Sequence, residues 1–153
     1  MHIASVSLSL AALLYMGHNF VSALAAYPIG HLGDRRSKRA VLLIGYGLGV
    51  LTNVLLAVRG GSLAWLVVAF ALSGVYIAVE ETLEKAVAAE LLPRELRSLG
   101  FGILACANAV GDMASSLYVG YCLEAGRPTL GFGTAAACGL LGVLWLLVIG
   151  RRR

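Results

Sequence analysis

Uncharged stretches of membrane length recur along this chain of 153 residues, and nothing else in the sequence restricts its fold as strongly. A helix needs about 20 mostly apolar residues to cross a bilayer, where only helices and closed barrels satisfy their own backbone groups. Five blocks qualify: residues 3–29, 40–58, 63–79, 98–123 and 129–150, the fourth broken only by Asp112. The third reads on as a helix past the membrane surface to Leu92. The expected architecture is therefore all-α and polytopic, with five transmembrane helices over residues 3–29, 40–58, 62–92, 97–123 and 129–150. The first block lacks a basic start and exceeds a signal-peptide core, so it reads as a retained helix.

Composition closes off the alternatives. Charged residues make up 13% of the chain, against about 25% in soluble domains. Hydrophobic residues reach 59% and mean hydropathy is +0.86, so too few charges remain to coat a globule in water. The net charge of +4 raises the question of nucleic acid. The Lys and Arg residues, however, sit in short runs between apolar blocks instead of striping one soluble face, which fits membrane loops and not a nucleic-acid partner. Cys106, Cys122 and Cys138 all lie inside apolar blocks, with no metal-type spacing, and read as small packing residues. Gly45, Gly47 and Gly49 resemble a nucleotide loop only superficially, since no strand precedes them. Gly45 and Gly49 instead have the small-xxx-small spacing of closely packed membrane helices. No paired nucleophile and base, phosphate loop or metal triad is present, so the sequence calls for no cofactor, no metal and no enzyme chemistry.

The joints carry breaker residues. Pro28 and Gly30 are expected to end the first helix. Gly60, Gly61 and Ser62 form a tight turn, with Ser62 as N-cap of the third helix. Pro93 interrupts the third segment, and Gly126-Arg127-Pro128 separates the fourth from the fifth. Loop charge sets orientation. Four basic residues lie in 34–39 (Arg35, Arg36, Lys38, Arg39), three in 80–97 (Lys85, Arg94, Arg97) and three at 151–153. The opposite side holds two, Arg59 and Arg127. The expected protein crosses the plasma membrane several times, with its N-terminus outside and its C-terminus cytoplasmic.

Two stretches on the cytoplasmic side stand out. One runs from Gly30 to Leu42, with Asp34 followed by Arg35, Lys38 and Arg39. The other places Glu90 and Arg97 on either side of Pro93, with Gly100-Phe101-Gly102 after it. The Gly30–Leu42 stretch resembles the glycine–acid–basic signature loop of the major facilitator superfamily, with Gly30, Leu32, Asp34, Arg35, Lys38, Arg39 and Leu42 in place. Ser37 stands where that family usually has Gly, and Lys38 where Arg is commoner. The stretch around Pro93 resembles the connection between helices ten and eleven of the same superfamily. The third block has no internal Arg and the fourth no Pro, so the chain resembles helices eight to twelve, the end of the second half. On that resemblance residues 1–153 are a partial transporter domain, with the first half and helix seven as missing partners. The implied function is secondary transport of a small solute by alternating access, with bacterial drug or metabolite efflux as the subtype. The resemblance also implies that Gly30, Asp34, Arg35, Lys38, Arg39, Glu90 and Arg97 form a cytoplasmic gating cluster. A membrane-embedded interaction module that transports nothing is the opposing class.

Polar groups within the membrane are expensive, and mark candidate sites. Asp112 lies near the middle of the fourth block, with Asn108 one turn before it on the same face. They read as a proton or substrate site, or as a polar contact to another helix. His18 and Asn19 lie midway along the first block, as a titrating site or a hydrogen-bonded packing pair. Glu80, Glu81 and Glu84 sit toward the cytoplasmic end of the third helix. Glu81 and Lys85 have the favourable i,i+4 order of a solvated ion pair, whereas Glu80 lies deepest and is the least easily explained that way. Tyr15, Tyr76, Tyr118 and Tyr121 either line a pathway or sit at the membrane interfaces. The expected partners are the lipid bilayer, a small solute and a proton as candidate coupling ion.

Overall fold

The computed structural model describes residues 8–58 and 62–150. The start of the first block, Arg59, the Gly60-Gly61 turn and the terminal arginines lie outside the described residues. Five α-helices follow one another: α1 (Leu8–Arg35), α2 (Lys38–Ala57), α3 (Leu63–Leu91), α4 (Arg97–Glu124) and α5 (Pro128–Gly150). A short 3-10 turn, Arg94–Leu96, joins α3 to α4. No strand occurs among the described residues.

Four of these helices, α1, α2, α3 and α5, are long and apolar enough to cross a membrane. The expectation of five exceeds this by one. Helix α4 has the length, with 28 residues, but Asn108, Asp112, Ser115 and Ser116 hold down its hydropathy. Its polarity is concentrated mid-helix, where a pathway-lining helix would carry it.

The first helix also departs from expectation. It does not stop near residue 29: Pro28 lies inside it, and it continues to Arg35. A proline removes one backbone donor, a loss that membrane helices tolerate. Beyond Pro28, packing holds the last turns. Ile29 is buried, and Gly33 lies so close to α3 that a Cβ there would stand 2.5 Å from Leu83 Cδ2. Gly30 is therefore a helix residue and makes no turn. The chain turns at Arg36 and Ser37, where the Ser37 hydroxyl accepts from the Ala40 N–H at 3.4 Å and caps α2. The serine that replaces the family's usual glycine thus has a physical role.

The other described joints form as the sequence indicates. The Ser62 hydroxyl accepts from the Trp65 N–H at 3.2 Å. At the end of α4, Gly126 adopts φ +70°. Gly126 and Arg127 then donate back to the Leu123 and Cys122 carbonyls at 3.0 and 2.8 Å, a glycine-terminated helix end. Pro128 opens α5, where its missing N–H is not needed.

Helix α3 packs against both α1 and α2, α2 packs on α5, and α4 rests mainly on α5 with a lighter contact to α3. The buried core gathers Ile29, Val41, Leu42, Ala78, Val79, Leu83 and Val87, from the end of α1, the start of α2 and the second half of α3. Close approach of α2 and α3 depends on the glycine pair: a Cβ on Gly45 would collide with Val79, and one on Gly49 would stand 2.9 Å from the Tyr76 ring. Gly47, between them, meets nothing within 4 Å. Within a bilayer, van der Waals fit of this kind substitutes for the hydrophobic effect.

Candidate functional site

Helices α3 and α4 have 29 and 28 residues, about 42 Å of helix at 1.5 Å per residue. That exceeds a hydrocarbon core of about 30 Å, so both overhang it. Along α3, Tyr76, Glu80 and Glu84 recur every four residues and so share one face. Glu81 and Lys85 lie round the helix from them, both exposed. Glu84 stands about 10 Å in from the C-terminal end of its helix by the same rise.

Glu84 ties three helices together. The Tyr46 hydroxyl of α2 donates to its Oε1 at 3.3 Å, and the Asn108 amide of α4 donates to its Oε2 at 2.7 Å. Each carboxylate oxygen thus has one neutral donor. Glu80 lies beside the Tyr76 hydroxyl and within electrostatic reach of Glu84 and Asp112. The rings of Tyr46 and Tyr76 stand 6.3 Å apart at 51°. Lys38–Glu90 is the one ion pair among the described residues, so the partners of Glu80 and Glu84 are neutral groups. The expected Glu81–Lys85 pair does not close, and both residues are exposed.

Directly beyond this seam lies a cleft of about 780 Å³ between α2, α3, α4 and α5. Tyr46, Asn53, Tyr76, Ser115, Tyr118 and Thr134 are among its lining residues. Gly111, next to Asp112, lines it too, and Asp112 itself is exposed. The volume falls within the usual range for small-molecule sites, about 300–1,000 Å³.

The structure thus brings Glu80, Asn108 and Asp112 together and adds three residues to them. Glu84 was hidden in the sequence by its place in an apparently solvated helix end, and Tyr46 and Tyr76 by the lack of any pattern that sorts tyrosines. The spacing 76, 80, 84 on one face was the available signal. His18 and Asn19 do not join the seam. His18 Nδ1 contacts the Phe70 carbonyl at 3.3 Å and its ring stacks on Tyr15, on the packed face between α1 and α3. Asn19 donates to the Tyr15 carbonyl of its own helix at 2.9 Å.

The charged residues around the α1–α2 and α3–α4 connections separate into distinct contacts. Lys38, at the start of α2, pairs with Glu90, near the end of α3, at 2.6 Å. Its lysine charge is thereby favoured, mainly by the hydrogen bond to Glu90 and also by the field of Asp34. Arg97 does not meet Glu90 or Asp34. Its Nε–H donates to the Leu92 carbonyl at 3.4 Å, bracing the break around Pro93. Asp34 and Arg35 are exposed and Arg39 is half-buried, none of them in an ion pair among the described residues.

Long apolar helices with a polar seam and a cleft between them define a multi-pass membrane protein. The family model described as Major Facilitator Superfamily matches residues 1–153, and the chain belongs to that family of transporters. No curated protein and no solved structure matches it.

Proposed function

We propose that this chain forms the second half of a secondary transporter that moves a small solute by alternating access, in efflux of a drug or metabolite across a bacterial plasma membrane. The N-terminus lies outside and the C-terminus in the cytoplasm, as the loop charges favour. The observation that carries the reading is Glu84, held by Tyr46 and Asn108 at the edge of the cleft. A carboxylate at this depth is costly to keep without a task. Glu84, Glu80 and Asp112 are the groups that take up and release the coupling proton, and the tyrosine-lined cleft is where solute binds. Asp34, Arg35 and Arg39 face the first half and bias the cytoplasmic closure, while Lys38–Glu90 and Arg97 brace the second half from within.

The test uses the assembled transporter in vesicles with a trapped pH dye and a panel of small solutes. At least one solute should drive proton movement that Asp112→Asn and Glu84→Gln abolish. Unchanged proton movement in both well-folded variants would contradict the coupling role.

A further inference from the structure

The cleft carries information about the solute itself. Its walls combine aliphatic groups with three aromatic rings from three different helices: Tyr46 of α2, Tyr76 of α3 and Tyr118 of α4. Among the described lining residues none is charged. The charge lies one shell away, and it has one sign. Glu84 is hydrogen-bonded to the Tyr46 hydroxyl, Asp112 adjoins the lining residue Gly111, and Glu80 follows Tyr76 by one turn. No Lys or Arg pairs with any of the three among the described residues. The nearest lysine in the chain, Lys85, is exposed on another face of α3.

These features select a ligand. Uncompensated carboxylates in a low-dielectric setting repel anions and stabilise a cation, more strongly than in water. A compact ammonium would hold its hydration shell and find no direct carboxylate on the cleft wall. A cation that is bulky, weakly hydrated and apolar at its rim loses little on leaving water and fits the aliphatic surface. It also gains from the faces of the tyrosines, whose quadrupoles attract positive charge. Resting on the transport reading of this cleft, we infer that its solute is a bulky aromatic or lipophilic organic cation, bound between Tyr46, Tyr76 and Tyr118, with Glu84 and Asp112 as its counter-charges.

Two probes of matched size and opposite charge test this: tetraphenylphosphonium and tetraphenylborate. Binding to the chain in nanodiscs is measured by equilibrium dialysis, with empty nanodiscs subtracted for partition into lipid. Tetraphenylphosphonium should bind saturably and tetraphenylborate should not. Tyr46→Ala and Tyr76→Ala should each weaken the phosphonium roughly 2–30-fold, the range of a single cation–π contact. Glu84→Gln combined with Asp112→Asn, close in shape to the native residues, should weaken it about tenfold or more. Equal binding of both probes, no saturable binding of either, or indifference to the loss of both carboxylates would overturn the inference. The outcomes also separate it from the transport reading. If the phosphonium binds but is never moved by the assembled transporter, the transport reading falls. If a neutral or anionic solute is moved while the phosphonium fails to bind, the cation inference alone falls.

Discussion

Glu84 shows how much one side chain can organise within a membrane. Tyr46 and Asn108 reach it from helices that share little other contact, so the seam depends on its two oxygens. Such interhelical hydrogen bonds are worth modest amounts, about 0.6 kcal/mol on average and up to about 1.7. The glycines weigh more. Gly45→Val forces new atoms into Val79, where nothing but the α2–α3 separation can yield. We expect it to destabilise the detergent-solubilised chain by about 1–3 kcal/mol, the usual range for overpacking. Gly47→Val, on an open face, should leave the thermal transition nearly unmoved. Equal effects at the two positions would show that the glycine face is not the packing face. The spacing of these glycines was readable in the sequence because small-xxx-small packing is a local pattern. Glu84 was not, because its partners lie 38 and 24 residues away in sequence.

At the scale of the element, helix existence was legible and helix ends were less so. Apolar runs set where four of the five helices begin and end to within a few residues. Helix α1 ran on through Pro28 because tertiary packing of Ile29 and Gly33 outweighed a local breaker signal. Helix α4 is the polar exception, held at its C-terminal end by the close approach of Gly131 to Cys122 and at mid-length by Asn108. The contact of the start of α2 with the end of α3 contains the Lys38–Glu90 pair, whose side chains are 27% and 56% exposed. Exposure of that order leaves such a pair weak, because solvent screens it. Lys38→Glu or Glu90→Lys alone should lower stability slightly, and the double exchange should restore it. A double exchange no better than the single changes would mean that the pair contributes nothing in solution.

For the whole molecule, the sequence conveyed an all-helical membrane protein and its family. The assembly of its seam required three-dimensional placement. Orientation remains the claim that loop charge supports most directly. A cysteine at Ser37 should react with a membrane-impermeant thiol reagent only after cells are opened, and one at Ser62 should react in intact cells. The reverse pattern would invert the protein and with it the assignment of the Lys38–Glu90 end to the cytoplasm. The central claim, that the cleft between α2, α3, α4 and α5 is exposed to each side of the membrane in turn, can be tested with a residue already there. Cys138 is exposed and lines the cleft. In a Cys106→Ala, Cys122→Ala background it is the remaining cysteine of the chain. With the partner half also free of cysteine, an impermeant thiol reagent added to the assembled transporter should reach it from the outside in one state and from the cytoplasm in the other. Solute should shift the balance between the two rates. A Cys138 that reacts from neither side, or from one side alone whatever solute is present, would contradict alternating access through this cleft.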